Sequence, residues 1–177
     1  MDGQVFRTEG ATIRAVHAPG HSHDHVCFII EEDNAMVTGD NILGHGTAAV
    51  EHLGPWMETL KVMGSHGCKR GYPAHGVVIE NLPSKIDGEL ASKLRRERQA
   101  LRALRETGAM KNTAPGKGRG RLTVPELVTK VYGEGMDEGL RKQALEPFMD
   151  EVLRKLAADG MVGFELRKGV KNWFAIA

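Results

Sequence analysis

Hydrophobic and polar positions change period along this chain, and the changes outline its elements. Residues 11–16 (Ala-Thr-Ile-Arg-Ala-Val) alternate weakly and predict a strand, ended by the turn His17-Ala18-Pro19-Gly20. Val26-Cys27-Phe28-Ile29-Ile30 predicts a buried strand, Glu31-Glu32-Asp33-Asn34 a polar turn, and Ala35-Met36-Val37-Thr38 a third strand that stops at Gly39-Asp40. Two strands joined by a short polar turn make a hairpin. In residues 55–63 the apolar side chains Trp56, Leu60 and Met63 follow helical spacing, with Pro55 tolerated in the first turn. Gly71 to Gly76 reads as a loop, followed by the short apolar run Val77-Val78-Ile79.

The period lengthens from Ser84. Ser84-Lys85-Ile86-Asp87 resembles a capping-box start, and Ile86, Leu90, Leu94, Leu101 and Leu104 predict a long helix to about Glu106. Its other face carries Arg95, Arg96, Arg98, Arg102 and Arg105. Residues 108–121 read as a flexible basic linker. Thr123-Val124-Pro125-Glu126 is a strong helix start, and a second helix follows through Leu145, Phe148, Met149, Val152, Leu153 and Leu156, with Pro147 in its first turn or kinking it. Gly160 ends that helix. Met161–Leu166 and Asn172–Ile176 predict two strands around Lys168-Gly169. Helix, helix, hairpin is the outline of a small winged-helix module, which divides the chain into segments 1–83, 84–121 and 122–177. No internal repeat is seen.

Composition narrows the class. A chain of 177 residues suggests one domain, or one with an appendage, and 41% hydrophobic with 27% charged residues argues against disorder. No run approaches the ~20 apolar residues of a membrane span. Met1-Asp2-Gly3-Gln4 lacks the layout of a signal peptide, and two cysteines cannot make a disulfide framework, so a reducing, cytoplasmic compartment is expected. Seven of the eight histidines lie between residues 17 and 66, and the other is His75. Residues 1–80 hold five Lys/Arg against ten Asp/Glu; residues 81–177 hold nineteen against thirteen. The acidic, histidine-rich part favours a bound cation. The basic part suits nucleic acid, an acidic protein, or simply a solvated helix surface.

Candidate chemistry concentrates in the first part. His21-Ser22-His23-Asp24-His25 misses the metal motif His-x-His-x-Asp-His by one residue, because Asp24 directly follows His23. Three separated turn positions make a better set: His21 after Pro19-Gly20, Asp40 after Gly39, and His75 between Ala74 and Gly76. Each sits where Gly or Pro lets the backbone aim a side chain, and imidazole with carboxylate suits zinc. Taken singly each is as readily an ordinary turn residue. His25 reads as orienting the metal loop and His45 as touching substrate, with hydrogen-bonding or exposed polar roles equally open. Cys27, Trp56 and Met57 read as core.

In this order the motifs resemble a known family. Ala18-Pro19-Gly20-His21-Ser22, Thr38-Gly39-Asp40 and Tyr72-Pro73-Ala74-His75-Gly76 resemble the Thr-Pro-Gly-His-Thr, bridging-aspartate and Pro-Gly-His-Gly motifs of metallo-β-lactamase-fold hydrolases. The stretch Gly39 to Thr47 is similar to a narrower branch, that of lactamase-β-like protein 2 and the fungal polyketide thioesterases. The resemblance implies an α/β fold, the αββα sandwich, with residues 1–83 as its C-terminal half. It implies metal ligation by His21, Asp40 and His75. The family's His-x-His-x-Asp-His motif does not occur upstream of His21, so the chain supplies three of seven ligands and lacks the catalytic upstream Asp. The expectation is at most one weakly held Zn2+ where intact relatives hold two, little or no activity alone, and an uncovered sheet face prone to self-association. The implied activity is hydrolysis of a carrier-bound aromatic polyketide thioester, with an acyl carrier protein domain as partner and no membrane. The alternatives are an RNA-cleaving enzyme, with the basic arm on phosphates, and a non-enzymatic winged-helix nucleic-acid module.

Overall fold

The computed structural model describes residues 2–111 and 120–176. The chain divides into two compact units, Met1–Ser92 and Lys93–Ala177. The first is built on a five-stranded sheet of β1 (Val5–Thr8), β2 (Ala11–His17), β3 (Val26–Ile30), β4 (Ala35–Gly39) and β5 (Arg70–Pro73), in that spatial order. The first three pairings are antiparallel; β4 and β5 run parallel and are connected through α1 (Leu53–Ser65). A parallel pair needs such a crossover because the chain must return to its starting end.

Side-chain alternation gives the sheet two unlike faces. One carries Val16, Cys27, Ile29 and Met36, all buried. With Trp56, Leu60 and Met63 of α1, these make the core of the unit. The pairings Phe6–Ile13, Ile13–Ile30 and Phe28–Val37 place five apolar side chains together on the opposite face. They line a shallow apolar recess of about 320 Å³, and Phe6 is 44% exposed.

The strands predicted near 11–16, 26–30 and 35–38 are present, as is the helix around 55–63, which extends to Leu53–Ser65. Two strands differ from expectation. β1 is exposed along its whole length, so it carries no burial alternation to read. β5 (Arg-Gly-Tyr-Pro) has the composition of a turn, which predicts loop; it becomes a strand through pairing with β4.

Helix α2 (Leu82–Lys111) runs from the first unit into the second. It begins two residues before the expected Ser84: Asn81 Oδ1 accepts the Ser84 N–H at 3.0 Å, and Pro83 falls in the first turn. It also continues past Glu106, so Gly108–Lys111 of the expected linker are helical, while residues 112–119 lie outside the described residues. The buried face differs as well. Leu94 is 44% exposed, while Glu89, Lys93 and Glu97 are buried. The polar groups are held by ion pairs and hydrogen bonds: Glu89 accepts from Thr47 and Lys85, and Glu97 pairs with Lys155. Apolar periodicity cannot show a buried charged ladder.

In the second unit α3 (Val124–Tyr132) starts at the expected capping box of Thr123 and Glu126. A short α4 (Glu138–Leu140) passes through a π-helical turn, Arg141–Leu145, into α5 (Glu146–Ala158), with Pro147 in its first turn. Met149, Val152, Leu153 and Leu156 of α5 are buried. The hairpin of β6 (Val162–Arg167) and β7 (Val170–Ala175) closes through Lys168 and Gly169, both at positive φ, the geometry a two-residue hairpin turn requires. Among the described residues no helix is long and apolar enough to cross a membrane.

Candidate metal centre at one end of the sheet

Strand directions bring the predicted site residues together. His21 lies in the loop from β2 to β3, Asp40 follows β4 and His75 follows β5. Since β2, β4 and β5 all end at the same edge, the three turns meet there. Asp40 occupies the centre: its Oδ2 is 4.0 Å from His21 Nε2 and its Oδ1 is 3.6 Å from His75 Nε2. The side chains of His21 and Asp40 are 38% and 36% exposed and that of His75 is 70%, so the group is open to a solute.

Backbone constraints set this arrangement. Pairing of β4 with β5 shifts register between Val37 and Gly39, which turns the end of β4 before Asp40. Gly39 has φ +55°, and a Cβ there would lie 2.6 Å from His25 Nε2. Only glycine leaves room for that ring. The loop carrying His75 is pinned from both sides: Ala74 N–H donates to Gly39 O at 3.1 Å, and Gly44 N–H donates to His75 O at 2.9 Å.

His25 and Asn41 support the three candidates from behind. His25 Nε2 accepts the Asp40 backbone N–H at 3.2 Å, and the other side of the ring faces the Ala18 carbonyl. This corresponds to a neutral ring protonated at Nδ1. Burial, then the neighbouring His21, push its pKa below the ordinary histidine value, against the opposing pull of Asp40. Asn41 is fully buried and joins three segments. Its Oδ1 accepts His21 N–H at 3.0 Å, its amide donates to Ala18 O, and its carbonyl accepts Trp56 Nε1–H at 3.1 Å. Trp56, expected as core, is buried and also holds this loop. Cys27 sits beneath the network, and burial pushes its thiol up to about 12, which keeps it protonated and inert.

His21 shows why a cation suits this group. Its Nδ1 lies 2.9 Å from Ala49 O and donates to it, so in the neutral ring Nε2 is the lone-pair nitrogen, on the side of the Asp40 carboxylate. Two acceptors facing each other are reconciled by a proton or a metal ion, and a carbonyl on the far ring nitrogen is the usual way a zinc-binding histidine is oriented. The donor chemistry fits zinc, with one imidazole beside each oxygen of Asp40. Three protein side chains is the number typical of a catalytic zinc, but His21 Nε2 and His75 Nε2 lie beside different oxygens of Asp40, at 4.0 and 3.6 Å. Among the described residues no group of three or more His, Cys, Asp or Glu side chains is arranged to hold a metal ion.

The other sequence candidates are placed as follows. His45 is exposed on the loop after Asp40, with its backbone against Gly76, so the structure brings it near His75 without joining it to the group. His23 is exposed, and its carbonyl faces His17 Nε2. Sequence reasoning misses Asn41, whose signal is a polar residue directly after Gly-Asp and before the apolar pair Ile42-Leu43.

Comparison with known proteins agrees with the motifs. No family model matches the chain. It is 67% identical over 172 residues to an atrochrysone carboxyl ACP thioesterase of Aspergillus novofumigatus, covering 97% of this chain and 53% of that protein. It is 65% identical over 176 residues to a lactamase-like protein of Pestalotiopsis fici, covering 99% and 55%. The chain thus spans about half the length of the curated relatives it matches. Among solved structures, a beta-lactamase domain protein from Burkholderia ambifaria aligns with TM-score 0.80 at 19% identity, over 99% of this chain and 51% of that one. A metallo-beta-lactamase family protein from Thermus thermophilus aligns with TM-score 0.73 at 19% identity, over 99% and 53%. The chain is therefore a homologue of the fungal atrochrysone carboxyl ACP thioesterases and lactamase-like proteins across roughly half their length, and over that half it has the metallo-β-lactamase fold.

Proposed function

We propose that this chain carries part of the metal site of a thioesterase that hydrolyses an aromatic polyketide acid from its acyl carrier protein. The observation that carries the reading is the meeting of His21, Asp40 and His75 at one sheet edge, in a chain so similar to proteins named for that activity. His21 Nε2, both oxygens of Asp40 and His75 Nε2 would hold zinc, completed by ligands from outside this set. Bound zinc lowers the pKa of a water and polarises a carbonyl, the two requirements of thioester hydrolysis. The chain's own groups prepare the donors: Ala49 O fixes the His21 tautomer, His25 holds the Asp40 backbone, and Asn41 ties the His21 loop to α1. The exposed side of the group leaves room for an acyl chain to approach.

The test is zinc titration of the 177-residue chain by calorimetry, alongside hydrolysis of a small aryl thioester. Weak binding of at most one zinc, lost in Asp40→Ala, with little turnover, is the expected result. Binding unaltered by Asp40→Ala would remove the site assignment. Two tightly held zinc ions with robust turnover would remove the claim that the donor set is incomplete.

A further inference from the structure

We propose that the exposed arginine stripe of α2 is the docking surface for an acidic helical face of the acyl carrier protein. The inference rests on the thioesterase reading for the identity of the partner and on the geometry of α2 for the surface. Arg95, Arg98, Arg102 and Arg105 recur at spacings of three, four and three, and all four are exposed. At 1.5 Å per residue they form one line about 15 Å long on one face of the helix. Counter-charge along it is sparse. Among the described residues only Arg102 pairs with a carboxylate, that of Glu106 at 2.8 Å; Arg98 donates to the Leu94 carbonyl, and Arg95 and Arg105 make no ion pair. Exposed Leu94 gives the line an apolar end. Beside it, α2 and α3 bound a groove of about 210 Å³ lined by Gln99, Arg102, Ala103, Glu106, Lys130 and Val131.

A line of basic groups with an exposed leucine at its end complements an amphipathic helix whose exposed side carries Asp and Glu. Guanidinium forks suit carboxylates, and such charges act mainly by steering encounter. A nucleic acid is a weaker match. The stripe carries no aromatic side chain on which a base could stack, and Arg96, which does face a ring, is packed over Tyr132 within the unit. The basic residues of α5 are internally neutralised: Arg154 pairs with Asp150 and Glu151, and Lys155 with Glu97 and Asp159.

The experiment titrates the full chain with a phosphopantetheinylated carrier domain of an aromatic polyketide synthase, by fluorescence anisotropy at low and high salt. Three proteins are compared: wild type; the triple variant Arg95→Glu, Arg98→Glu, Arg105→Glu; and a control with the same charge change at the exposed residues Arg7, Lys61 and Arg167. Circular dichroism checks that all three fold. Salt-sensitive binding that falls about tenfold or more in the stripe variant and stays within about twofold in the control supports the proposal. Absence of wild-type binding, equal loss in both variants, or no loss in either overturns it. Tighter, stripe-dependent binding of polyuridylate RNA also overturns it, in favour of nucleic acid. Zinc titration of wild type and Asp40→Ala needs no carrier, so failure of the metal-site reading appears there, while the docking result stands or falls separately.

Discussion

At the scale of single residues the site depends on one hydrogen bond that no metal would touch. Asp40 can present its carboxylate to both histidines because its backbone N–H ends on His25 Nε2. Removing that acceptor leaves a partly buried donor unsatisfied, which costs about 1–2 kcal/mol. His25→Leu is therefore expected to lower unfolding free energy by that amount in a urea titration. His25→Gln places an amide oxygen near the former Nε2 position and should recover at least half. Zinc affinity should follow the same order, wild type, Gln, Leu. A ring that served only as packing would show no preference for Gln over Leu, and that result would sink the positioning role.

At the scale of elements, caps decide more than apolar periods do. Ser84 reads as the start of α2 because Ser followed by Asp three residues later looks like a capping box. Asn81 holds that place instead, accepting the Ser84 N–H. Asn81→Ala should cost about 1 kcal/mol, while Ser84→Ala should stay within about 0.5 kcal/mol of wild type. Chemical denaturation of the two variants compares them directly, and equal losses would contradict the assignment. The difference is instructive beside Thr123, where the full box is present in the structure as in the sequence pattern. Strong local signals survive folding, whereas weaker ones yield to a better partner a turn away. The same distinction explains the site. His21, Asp40 and His75 are legible because each needs Gly or Pro beside it, a local requirement. Asn41 is not, because its partners Ala18, His21 and Trp56 are distant in sequence and become neighbours only in the folded unit. β5 escapes a sequence reading for the same reason: its register with β4 is tertiary information.

At the scale of the whole chain, the uneven charge follows the two compact units: Met1–Ser92 holds six Lys/Arg against twelve Asp/Glu, Lys93–Ala177 holds eighteen against eleven, and the arginine stripe begins just after the boundary at Ser92. The acidic, histidine-rich unit carries the candidate centre. Its sheet is sealed on one side by the buried set Val16, Cys27, Ile29 and Met36, and on the other side it presents Phe6, Ile13, Phe28, Ile30 and Val37 around an open recess. Water against such a face is unfavourable in proportion to the apolar area, and contiguous apolar patches on a protein surface tend to find a cover. The neighbouring edge strand β1 is exposed throughout, so its unpaired backbone groups can extend the sheet between copies. The chain alone is therefore expected to self-associate in sedimentation velocity, with the average mass rising with concentration. Phe6→Lys should shift the distribution towards monomer, because it puts a charge on both the edge strand and the apolar face. It should leave the thermal midpoint nearly unchanged, since Phe6 is already 44% exposed and little packing is lost. A wild type that stays monomeric at the highest concentration reached, or a variant that associates just as strongly, would show that this face is not what drives assembly.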